Sequence, residues 1–146
     1  MSDMILPAEP QLYSMGTFVP TSFDVQTIGR EFNQFLVSRG YREHNYSNPD
    51  ASIPHIINIR QPAECAGAAF FYWRSTEWHE DCSIGRSMIC WSNTKPTAFR
   101  RDTTEEIVFP PGSVVWSAKG ISHRGPRNVT IEDNRWFIRL WDPYVQ

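Results

Sequence analysis

The chain has 146 residues, 40% hydrophobic and 21% charged, a balance that fits one globular domain. A net charge of −2 and a pI near 6.1 weigh against a main role in holding the backbone of a long nucleic acid. No apolar run is long enough to cross a bilayer and residues 1–11 carry no leader pattern, so the sequence points to the cytoplasm and away from membranes.

In chain order, residues 1–20 carry Pro7, Pro10 and Pro20 and read as an extended arm. A helix follows over 21–40. Thr21, Ser22 and Asp24 offer N-cap oxygens, Val25, Ile28, Phe32, Phe35 and Leu36 recur at helical spacing, and Gly40 supplies a stop. That stripe should pack on a sheet. Residues 41–52 are polar and turn-rich. From 53 to 141 the pattern is that of short strands: Ile53–Arg60, Ala68–Arg74, Arg86–Ser92, Glu105–Phe109, Ser113–Ser117 and Arg135–Trp141. One helix followed by many short strands implies a mainly β barrel or sandwich with the helix laid against it.

The three cysteines, Cys65, Cys82 and Cys90, lack C-x-x-C spacing and read as reduced. The most informative stretch is Trp78-His79-Glu80-Asp81. In an extended segment His79 and Asp81 point to one face and Glu80 to the other. An imidazole and a carboxylate on one face can take two adjacent positions on a metal. His123, 42 residues beyond Asp81, is the natural third ligand. Two His and one carboxylate make the facial triad of non-haem Fe(II) sites, which leaves positions open for co-substrate and O2. His44 and His55 read as bystanders.

The last strand alternates sharply. Trp136, Ile138 and Leu140 form a wholly apolar face suited to the helix, while Arg135, Phe137, Arg139 and Trp141 share the other. A buried Arg needs an anionic partner, and a carboxylate fits its two-pronged geometry. The partner is either a structural acid such as Glu105, Glu106 or Glu132, or the carboxylate of a bound small acid. Arg135 is the first candidate for that grip, Arg139 the second and Arg86 the third.

The ordered set His79-Glu80-Asp81, Gly85-Arg86, Pro111-Gly112 before a strand, Ser122-His123-Arg124-Gly125 and Arg135 to Arg139 resembles the Fe(II)/2-oxoglutarate-dependent dioxygenases. Ser92-Asn93-Thr94-Lys95-Pro96 is similar to the Asn-Pro turn of the proline-hydroxylase-like and aspartyl-hydroxylase-like branch. The resemblance covers residues 53–141. It implies a double-stranded β-helix, also called a jelly roll or cupin barrel, with Fe(II) on His79, Asp81 and His123. It further implies 2-oxoglutarate as co-substrate, its far carboxylate on Arg135 or Arg139, with Tyr72 as a candidate hydroxyl beside it. The expected reaction couples O2 and decarboxylation of 2-oxoglutarate to succinate with hydroxylation of a small molecule or a peptide side chain. Two alternatives stay open: a metal cupin that needs no 2-oxoglutarate, and a non-catalytic binding module on the same barrel. The sequence leaves the prime substrate and the oligomeric state open.

Overall fold

The computed structural model describes residues 11–41, 55–59, 78, 87–101, 105–118, 120–126 and 129–141. Among these residues there is one α-helix, α1 (Val25–Ser38), and eight strands. The strands are β1 (Leu12–Thr17), β2 (His55–Ile59), β3 (Met88–Ser92), β4 (Ala98–Arg100), β5 (Ile107–Val108), β6 (Ser113–Ser117), β7 (Ser122–Arg124) and β8 (Arg135–Trp141). The expected mainly β character with one helix is therefore present.

Of the three N-cap candidates the structure uses Asp24, whose Oδ1 accepts the Thr27 N–H at 2.9 Å. Glu31 reaches back to accept from the backbone N–H and the hydroxyl of Thr21, at 2.7 and 2.6 Å, which ties down the lead-in. At the far end Gly40 adopts φ +87°. The Gly40 and Tyr41 N–H groups bond the Val37 and Leu36 carbonyls, a Schellman stop that favours glycine.

The strands form two antiparallel sheets. The larger has the order β1-β6-β3-β8-β2 and the smaller β5-β4-β7. From β3 onward the chain crosses between sheets at β3–β4, β5–β6, β6–β7 and β7–β8. The pairings are nested: β4 with β5, β3 with β6, and β2 with β8.

Two apolar layers follow from strand alternation. On one face of the larger sheet Trp136, Ile138 and Leu140 of β8 join Ile89, Trp91, Val114 and the fully buried Ile28, Phe32 and Leu36 of α1. The helix stripe and the apolar face of β8 thus meet as their periodicities require. On the opposite face Met88, Cys90 and Val115 pack with Phe99 and Ile121 from the smaller-sheet region, with Phe137 at the margin. This second layer lies between the sheets.

Strand boundaries hold where apolar runs are long. Ser113–Ser117 and Arg135–Trp141 match residue for residue. Glu105–Phe109 shortens to Ile107–Val108. Residues 12–17 of the expected arm are a strand, paired with β6 through a register shift that contains Gly16 at φ +119°. The expected strand Ala68–Arg74 lies outside the described residues.

Candidate functional site

The site is built from the space between the sheets. His123 sits in the middle of β7, directly opposite Phe99 of β4. Cross-strand partners share a face, and the two rings are 6.2 Å apart between centroids. Phe99 belongs to the layer between the sheets. His123 therefore faces inward, and its 9% exposure agrees.

Across that layer stands β8. Cys90, on the inner face of β3, pairs with Arg139, and Ser92 pairs with Phe137. Alternation puts Arg135, Phe137 and Arg139 on the inner face. Arg135 is 4% exposed, whereas Arg139 is half-buried. The Arg135 guanidinium lies over the Phe137 ring at 5.1 Å, and its Nε donates to the Lys95 carbonyl at 2.9 Å.

The turn Ser92–Pro96 holds this end of β8 in place. Asn93 Oδ1 accepts the Trp136 N–H at 2.6 Å, and its Nδ2 donates to the Asn134 carbonyl at 3.2 Å. Ser92 Oγ donates to the Thr94 carbonyl at 2.6 Å. Lys95 takes φ +44°, uncommon for a side chain with a Cβ, and Lys95 Nζ pairs with Asp133 at 3.2 Å. The backbone N–H of Thr130, then the Lys95 ammonium, hold the Asp133 carboxyl below its ordinary value. Sequence reasoning noted this turn only by resemblance. Its role as the seat of Arg135 depends on side-chain to backbone bonds between residues about 40 apart, which no local pattern displays.

A small cavity adjoins the turn, bounded by Cys90, Ser92, Pro96, Thr97, Phe99 and Val115 among others. The Pro110-Pro111-Gly112-Ser113 turn closes one side. Its Ser113 N–H bonds the Pro110 carbonyl at 3.1 Å, and Gly112 supplies the φ of +87° that this turn type requires.

On the outer face of the smaller sheet, Arg100 and Arg124 both reach Trp78. Their guanidinium carbons lie 4.3 and 4.7 Å from its ring centroid. Arg124 also pairs with Glu106 at 3.1 Å.

Of the sequence-derived site residues, the structure brings His123, Arg135 and Arg139 to the interior between the sheets. His79, Asp81, Arg86 and Tyr72 lie outside the described residues. Among the described residues no group of three His, Cys, Asp or Glu side chains stands together as a metal site. No described helix is long and apolar enough to cross a membrane. No protein-family model, curated protein or solved structure matches this chain.

Proposed function

We propose that this protein is an Fe(II)- and 2-oxoglutarate-dependent oxygenase that hydroxylates a small molecule or a peptide side chain. The observation that carries the reading is the convergence of His123 and the two β8 arginines on the interior between the sheets. The nested strand pairings and repeated crossings between sheets support a jelly-roll barrel as its frame.

The donor chemistry fits the ion. His123 offers an inward imidazole, and Trp78 is fixed against the outer face of the sheet that carries it. His79 and Asp81 lie outside the described residues; the sequence pattern puts the two on one face of an extended segment. His79, Asp81 and His123 would then hold Fe(II) as a two-histidine, one-carboxylate set. When bound, the iron supplies the O2 chemistry that side chains lack.

The protein's own share is placement. Arg135 grips the far carboxylate of 2-oxoglutarate as a two-pronged donor, with Arg139 next to it on the inner face. The Lys95 carbonyl and Asn93 fix where Arg135 stands. Such fixed geometry presents only the 2-oxo acid end to the metal. The apolar lining from Cys90, Phe99, Val115 and Phe137 limits water in the reacting space.

A thermal-shift experiment tests the reading, with Mn(II) standing in for Fe(II). Ligand at 100 times its Kd adds about 2.7 kcal/mol to stability, a clear rise in Tm. We expect Mn(II) and 2-oxoglutarate together to raise Tm, and His123→Ala to remove the rise while the protein remains folded. No rise, or an undiminished rise in His123→Ala, overturns the assignment. A metal-independent rise instead favours a binding module.

A further inference from the structure

We infer that the outer face of the smaller sheet carries an oxyanion site, where Arg100 and Arg124, both set against Trp78, take a phosphate group, free or as a small monoester. The site lies away from the interior between the sheets and rests on no part of the oxygenase reading.

Strand register makes the pair. Ala98 pairs with Arg124 and Arg100 pairs with Ser122. Arg100 and Arg124 are therefore diagonal neighbours on one face of β4 and β7, opposite the face of Phe99 and His123. Solvent reaches this face: Val108, which pairs with Ala98, is 54% exposed, and the Glu106 side chain is 48% exposed. Among the described residues Glu106 is the one carboxylate that pairs with either arginine, accepting from Arg124 Nη2 at 3.1 Å. Two cations and one exposed carboxylate leave a positive charge to be met by a ligand.

Trp78 holds the two groups for that purpose. Their guanidinium carbons lie 4.3 and 4.7 Å from its ring centroid. Indole is the strongest aromatic partner for a cation, and it restrains each guanidinium without supplying an oxygen acceptor. Side chains already restrained lose less freedom when a ligand binds. A carboxylate has one charge and matches one fork. A phosphate group has about −1.5 to −2 charge at pH 7 and three acceptor oxygens, which suits two neighbouring forks. The net charge of −2 on the whole chain speaks against the long phosphate backbone of a nucleic acid, so the ligand is small.

The test is calorimetric titration of the full chain with inorganic phosphate and, separately, with glycerol 3-phosphate at low ionic strength, beside circular dichroism of each variant. Wild type should show one saturable site. Arg100→Gln and Arg124→Gln should each bind about 10- to 100-fold more weakly, the loss of a hydrogen bond to a charged group. Glu106→Gln removes the competing carboxylate and should bind more tightly. Arg101→Gln removes the same charge from the next residue, whose guanidinium reaches the Leu12 carbonyl at 3.3 Å, and should bind like wild type. Tighter binding of glycerol 3-phosphate assigns the site to a monoester, and tighter binding of inorganic phosphate to the free ion. No saturable binding of either probe, or an equal loss in Arg101→Gln and Arg100→Gln, overturns the site. Glu106→Gln and Arg100→Gln decide the matter should Arg124→Gln fail to fold.

Discussion

Burying a guanidinium costs solvation unless acceptors replace the lost water, and Arg135, 4% exposed, has one such acceptor in the Lys95 carbonyl. A guanidinium fork suits a planar carboxylate, a demand that lysine does not meet. Arg135→Lys keeps the charge and loses the fork. It should weaken 2-oxoglutarate binding by about 1.5–3 kcal/mol, the range for a hydrogen bond to a charged group, and leave Mn(II) affinity unchanged. Calorimetric titration of each ligand checks this; equal binding of 2-oxoglutarate by both forms would assign the anchor elsewhere, with Arg139 next in line. Three carboxylates carry a separate signal. Asp24 is held low by the Thr27 N–H, Glu31 by the Thr21 hydroxyl and Asp133 by the Thr130 N–H. A lowered folded pKa contributes stability above the unfolded value, and that contribution is lost as pH falls through the folded pKa. The ordinary values are 3.8 for Asp and 4.5 for Glu, so the loss belongs to the acid limb below them. Asp24→Asn keeps a capping oxygen and should flatten that limb, whereas Asp24→Ala should lower Tm at neutral pH as well. Melting curves recorded from pH 7 into the acid range distinguish the two, and an unchanged acid limb in Asp24→Asn would contradict the capping account.

At the scale of elements, what was legible depended on length and on which face each residue took. The α1 stripe of Ile28, Phe32 and Leu36 has helical period, and Trp136, Ile138 and Leu140 have period two, so each fixed its own buried face. The strands β4 and β7 have three residues each, too few for any period to show. His123 was consequently expected beyond a strand and not within one. β1 was obscured by the prolines on either side of it, Pro10 and Pro20, and by Gly16, whose φ of +119° belongs to an irregular edge that discourages pairing with another chain. The Ser92–Pro96 turn makes its contribution through tertiary bonds. Asn93→Ala removes the acceptor of the Trp136 N–H, at a cost of about 1–3 kcal/mol where that donor stays buried. Because Trp136 adjoins Arg135, the same change should weaken 2-oxoglutarate more than Mn(II). Equal effects on both ligands in a paired titration would mean that the turn stabilises the fold alone.

For the whole molecule, three layers organise the chemistry: a helix, a five-stranded sheet and a three-stranded sheet. The first apolar layer packs the helix on the larger sheet, and the second lies on the face shared by His123 and the β8 arginines. The sequence order of His79, Asp81, His123 and Arg135 made the donor types legible, since alternation is a local rule. The shared interior of His123 and Arg135 was not legible, because it depends on which strands cross between sheets. His79, Asp81, Arg86 and Tyr72 lie outside the described residues, so their share of the site stands on alternation and resemblance. The central claim is one Fe(II) and one 2-oxoglutarate held together by the triad and a β8 arginine. Its most direct test is to mix anaerobic protein with Fe(II) and 2-oxoglutarate and record the weak visible charge-transfer band of that complex. The account predicts a band in wild type that is lost in His79→Ala and in Arg135→Ala; iron binding without a band would contradict it.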